Sequence, residues 1–119
     1  HHVDHILVQR MALALAEQGY RVWFYEDFPY AGDVEAVRAA LDALPDACWR
    51  NTTTYFDEQA LAAKQQAVAC YTSQISTFWA NLEEMRAALR AQALRVGSDR
   101  YGENYWQFSP GCAPSFDAR

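Results

Sequence analysis

Basic charge is scarce in this chain. Its 119 residues carry 10 Lys and Arg against 15 Asp and Glu, a formal net charge of −5. Nucleic acid rewards side chains that neutralise phosphates, so the balance excludes nucleic acid as a natural partner. It disfavours an anionic membrane surface for the same reason. Long hydrophobic runs are also lacking, and none approaches the ~20 residues needed to span a bilayer. Cysteine is sparse: Cys48, Cys70 and Cys112 are odd in number and form no C-x-x-C pair. Neither a zinc knuckle nor a disulfide framework is suggested, and reduced, cytoplasmic thiols acting as small apolar residues are expected. The opening stretch shows no initiator Met, basic n-region or apolar signal segment, so no targeting peptide is read in it.

What is present argues for a folded piece. Hydrophobic residues make up 51%, with 4 Trp, 7 Tyr and 6 Phe, far more than a disordered chain carries. The length suits one domain and needs no metal or disulfide staple. Residues 4–18 read as a helix, with Ile6, Leu7, Met11, Ala14 and Leu15 on one stripe. Gly19 is placed to end it in the left-handed conformation. Arg21 to Tyr25 is a short β-branched and aromatic run without clean alternation, which predicts a strand covered on both faces, as in a parallel sheet. Pro29 ends any ladder pairing beyond it. Asp33 can cap a helix from about Val34 to Leu44, closed by Pro45. Residues 51–56 read as a loop or a short strand. The strongest periodicity follows: Leu61, Val68, Tyr71, Ile75, Phe78, Leu82, Met85, Leu89 and Val96 recur at spacings of three, four and seven. That predicts a long helix, or two in line, with Asp57 as N-cap and Gly97 as C′ residue. Its apolar face is either core or a seam to a partner, including a second copy of the chain. From Ser98 the chain is polar, then aromatic. Residues 1–108 read as the folded part and 109–119 as a Pro/Gly-containing tail expected to be poorly ordered.

Three places hold residues with chemical potential. In His2-Val3-Asp4-His5 the two histidines are three apart, which at a helix start puts both imidazoles on one side. Neutral imidazole is a common zinc ligand, and a neighbouring carboxylate can orient it. Alternatively the leading histidines are a tag remnant, with Asp4 merely favourable to the helix dipole. A catalytic zinc usually takes three protein ligands, and no further histidine follows His5, so part of any such site lies elsewhere. Glu26 and Asp27 follow the first strand, where open α/β sheets bind ligands, or they are solvated or capping acids. Lys64 occupies a position that the rhythm reserves for an apolar residue, so it snorkels outward or finds a partner.

These residues, taken in order, resemble the C-terminal half of the PIG-L (LmbE-like) family of zinc-dependent N-acetyl-sugar deacetylases. The resemblance rests on His2-Val3-Asp4-His5 and on Phe24-Tyr25-Glu26-Asp27-Phe28-Pro29-Tyr30-Ala31. It continues through Lys64, Ala67 and Tyr71-Thr72-Ser73-Gln74 to Glu103-Asn104-Tyr105-Trp106. It covers residues 2–106, assigns His2 to the protein and leaves His1 open. It implies a Rossmann-like parallel sheet, partial in this chain, with a long C-terminal helix or helix pair, and one catalytic Zn2+. His5 would be the third metal ligand. His2 would stabilise the tetrahedral oxyanion or protonate the departing amine, and Asp4 would support both histidines. Asp27, Glu26 and Tyr30 would sit near the sugar, with Lys64, Tyr71 and Gln74 on the neighbouring helix. The family's Pro-His-Pro-Asp-Asp-Glu-like segment, which brings the other two zinc ligands and the general base, has no counterpart here. The resemblance therefore implies a cytoplasmic hydrolase acting on an N-acetylglucosamine-type sugar, of which this chain is a fragment, inactive without a missing N-terminal segment. The alternative is a non-catalytic helical module using the 61–96 face for interaction or dimerisation.

Overall fold

A computed structural model describes residues 3–43 and 47–110, with the side chains of 47 and 48 left aside. The elements run α1 (Val3–Glu17), β1 (Trp23–Tyr25), a 3-10 turn (Tyr30–Gly32), α2 (Val34–Asp42) and β2 (Ala47–Phe56). They continue with α3 (Glu58–Ala69), α4 (Thr72–Phe78), α5 (Leu82–Gly97) and β3 (Tyr101–Pro110). Among the described residues no helix is long and apolar enough to cross a membrane.

The parallel Rossmann-like sheet expected from the sequence does not form. The three strands make a small antiparallel sheet in the order β1-β3-β2, with Trp23 opposite Gln107, Phe24 opposite Trp106 and Tyr25 opposite Tyr105. The physical reason lies in the β1 side chains. Trp23 and Tyr25 are exposed and only Phe24 turns inward, so the period of two is there. It is invisible to hydropathy because the outward residues are amphipathic rings, with an apolar body and a polar tip. The rule that ligands gather beyond the carboxyl ends of parallel strands therefore has no purchase on β1.

The chain divides into two compact units, residues 1–25, 34–52 and 105–119 forming one, and 26–33 with 53–104 the other. In the first unit, α1 ends as expected. Gly19 takes φ +90°, its N–H donates to Ala16 O at 3.0 Å and the Tyr20 N–H to Leu15 O at 3.1 Å, a Schellman closure. Rings pack inside this unit: Phe24 meets Trp49 edge-on at 5.4 Å, and Trp49 meets Phe108 at 5.2 Å. The Trp49 indole N–H donates to Leu41 O at 3.1 Å, which ties β2 to α2. α2 stops at Asp42, and the expected closure at Leu44–Pro45 lies outside the described residues.

In the second unit the long helix is three helices. α3 is capped by Asp57, whose carboxylate accepts from Ala60 N at 2.8 Å. It ends at Ala69, and α4 begins two residues after the Cys70 cap. Asn81 then caps α5 by accepting from Glu84 N at 2.9 Å, while Glu84 reaches back to Ala80 N at 2.7 Å. That reciprocal arrangement is close to a capping box, and it restarts the helix where the stripe had seemed continuous. The stripe is partly core: Ile75, Met85 and Leu89 cluster with Phe28, Val68, Ala69 and Trp79. Tyr71, by contrast, is 68% exposed. The residues after Ser98, read as polar and then aromatic, form the central strand β3, and it runs through Pro110.

Candidate functional site

The positions singled out in the sequence fall in different places. His2 lies outside the described residues. Asp4 and His5 stand exposed at the start of α1 in the first unit. Among the described residues no three His, Cys, Asp or Glu gather to hold a metal ion. The donors described here thus do not make a zinc site by themselves. Cys70 is a free, exposed thiol rather than a small core residue, with its Sγ 3.4 Å from Gln66 O.

The other candidates belong to the second unit. Glu26 and Asp27 leave β1, both half-buried. The turn that follows is closed by Ala31 N donating to Asp27 O at 2.8 Å and Gly32 N to Pro29 O at 2.9 Å, across a cis Phe28–Pro29 bond. Arg95 of α5 anchors the same turn from outside, its guanidinium donating to Ala31 O at 3.1 Å. Tyr30 packs edge-on against Phe78, centroids 5.6 Å apart, and Phe28 stacks on Trp79 at 6.2 Å. Aromatic contacts therefore join the turn to the end of α4.

Two pairs then link distant motif residues. Lys64, the cation in an apolar rhythm, forms an ion pair and hydrogen bond with Glu103; it has found a partner rather than snorkelled away. Asn104 Nδ2 donates to Glu26 Oε1 at 3.0 Å, and Asn104 Oδ1 accepts from Thr53 Oγ1 at 2.8 Å. Glu103 and Asn104 are consecutive on β3, so alternation sends them to opposite faces of the strand. One motif thus grips two others from its two sides. Tyr71 and Gln74 join neither pair: the Tyr71 ring is exposed, and the bond between these residues is a turn of backbone, Gln74 N to Tyr71 O at 2.8 Å.

Sequence reasoning missed two groups. Thr53 sits in a run of threonines whose only local signal was strand propensity. The cluster of Glu58, Arg90 and Tyr101 is made from three elements. Arg90 Nη1 donates to Glu58 Oε2 at 3.0 Å, Tyr101 donates to the same oxygen at 2.7 Å, and Arg90 also bonds the Tyr101 hydroxyl. The Arg90 guanidinium, and after it the Tyr101 hydroxyl, hold the Glu58 carboxyl below its ordinary value. Bonding to Glu58 pushes the Tyr101 phenol upward. No protein family matches the chain by its sequence profile, and neither a curated protein nor a solved structure matches it.

Proposed function

We propose that this chain is part of a cytoplasmic zinc-dependent N-deacetylase of the PIG-L type, acting on an N-acetylglucosamine-type sugar or glycoconjugate. One observation carries the reading. The motif residues Lys64 and Glu103 pair across 39 residues, and Glu26 and Asn104 across 78, so segments that share no local reason to meet are held together in one unit. On this reading His5 would supply one zinc donor from the start of α1, Asp4 would support it, and His2, outside the described residues, would stabilise the oxyanion or protonate the departing amine. The remaining donors and the general base lie outside the described residues. Zinc, when bound, makes a water acidic enough to attack an amide carbonyl at neutral pH. Glu26, Asp27 and Tyr30 accept and donate hydrogen bonds to the hydroxyls of the sugar. Lys64 and Glu103 keep α3 fixed against β3.

The test is zinc-dependent acetate release from N-acetylglucosamine conjugates by the chain joined to its upstream sequence. His5→Ala is expected to lower the rate by about 100-fold or more, since even residues that only orient a metal ligand are worth 10–100-fold. Full activity in His5→Ala would remove the assignment. On the alternative reading, a non-catalytic helical interaction or dimerisation module, the surface would be the part of the 61–96 face that stays exposed, Tyr71, Phe78 and Leu82, while Leu61, Ile75, Met85 and Leu89 are buried within the chain.

A further inference from the structure

Thr53, Asn104 and Glu26 come from three separate stretches, and their hydrogen bonds run in one direction. Thr53 Oγ1 donates to Asn104 Oδ1 at 2.8 Å, and Asn104 Nδ2 donates to Glu26 Oε1 at 3.0 Å. An ionised carboxylate only accepts, so the amide must turn its NH2 toward Glu26. Its carbonyl oxygen then faces Thr53, whose hydroxyl has to donate. The charge at one end sets every orientation along the chain. All three residues are half-buried, where a hydrogen bond to a charged group is stronger than a neutral one.

The far end is fixed as well. A Cβ on Gly102 would stand 3.0 Å from Thr53 Cγ2 and 3.0 Å from Gly97 Cα. The Thr53 side chain therefore lies directly against β3 backbone, and a β-branched side chain has few rotamers to choose from. Gly102 and Asn104 are two apart on the strand and so share a face, the one against which Thr53 packs. This amounts to a support for a single carboxylate at the start of the 26–33 segment.

We propose that Thr53 and Asn104 are positioning residues that aim the Glu26 carboxylate at the hydroxyl groups of an N-acetylated saccharide. The inference rests on the reading above that Glu26 lines a sugar site. Losing the Thr53 hydroxyl releases the Asn104 amide to rotate, and Glu26 then meets the ligand in several orientations instead of one.

The experiment compares Thr53→Val, which keeps the shape and removes the hydroxyl, with Thr53→Ser, which keeps the hydroxyl. Asn104→Leu is the larger perturbation. Binding of N-acetylglucosamine and its disaccharide to the full chain is followed by NMR titration of the backbone and side-chain amides. Thr53→Val is expected to weaken binding about fivefold, the worth of about one hydrogen bond, and Asn104→Leu tenfold or more. Thr53→Ser stays within about twofold of the parent, a rescue that a purely structural role would not produce. In acetate release the same variants raise KM and leave kcat unchanged. Equal binding by Thr53→Val and Thr53→Ser overturns the proposal, as does a parent chain that binds neither saccharide. Saccharide binding with the expected variant order but no zinc-dependent acetate release supports the positioning role and removes the deacetylase reading instead.

Discussion

α1 and α5 are nearly the same length, 15 and 16 residues, and α1 is the more apolar of the two, yet only α5 builds a core. α1 buries Ala16 alone, whereas α5 buries Met85, Leu89, Ala93 and Gly97. Those four are spaced by four along one face, and α3 and α4 pack beside it. In α1, Val3, Leu7 and Met11 are spaced by four as well, yet they and Val8 remain exposed. Burial follows from a partner packed on the apolar face, as α3 and α4 are on α5, not from apolarity or spacing alone. Two methionines make the contrast measurable. Met85 is 0% exposed and Met11 61%. Met85→Ala should cost about 2–5 kcal/mol in urea unfolding, through lost transfer energy and the cavity left behind. Met11→Ala should stay within about 0.5 kcal/mol. An equal cost at both sites would break the comparison and mean that α1 is covered in solution.

The glycines at the two helix ends sharpen the contrast, because they are needed for different reasons. Gly97 is helical, and a Cβ there would lie 2.8 Å from Gly102 N. Helix propensity alone would favour alanine by about 1 kcal/mol. Backbone cannot give way as a flexible side chain can, so Gly97→Ala is expected to destabilise by a net ~1–3 kcal/mol. Gly19 is the opposite case: nothing lies within 4 Å of its Cβ position, but its φ is +90°. Gly19→Ala should cost about 1 kcal/mol from conformation alone, and Gly19→Asn less, since asparagine tolerates that region better. Thermal unfolding of the three variants separates crowding from conformational strain: asparagine should relieve position 19 only.

Those glycines also show what could be read from the sequence and what could not. Gly19 and Asp57 were legible because a helix end is decided by its own few residues. Gly97 was misplaced as a C′ residue. The left-handed position belongs to Ser98, at φ 66°, and Gly97 is glycine because a strand passes close by. The breaks at Cys70–Tyr71 and Trp79–Asn81 were hidden because the apolar spacing continued through them, while the cap at Asn81 overrode it. β3 escaped notice because Tyr101 to Pro110 mixes acids, amides and rings without alternation, and its partners are up to 84 positions away, as Trp23 is from Gln107. Of the candidate site, Glu26 and Lys64 were singled out from local oddities. Their partners Asn104 and Glu103 lie in the 103–106 stretch, where sequence alone assigns them no role, and Thr53 becomes visible only through its bond to Asn104.

The smallest effect expected concerns how α5 is tied to its neighbours by charge. Arg90 of α5, Glu58 of α3 and Tyr101 of β3 meet on the surface. Bonding to Arg90 first, and to Tyr101 next, depresses the Glu58 carboxyl. A group with a depressed folded value contributes stability above its unfolded value, about 4.3 for glutamate, and loses it as pH falls through the lower folded one. Tyr101 is raised, chiefly by Glu58, so its share is present below about 10 and fades as pH climbs through the higher folded value. Glu58→Gln should therefore melt slightly below the parent at pH 6–8, and the gap should close as pH falls below about 4. Because Glu58 is exposed and Arg90 and Tyr101 are only half-buried, the gap should also shrink at 1 M salt, where charges more than about 3 Å apart are screened. A gap that persisted unchanged at acid pH and high salt would assign the role of Glu58 to packing at the start of α3 rather than to its charge.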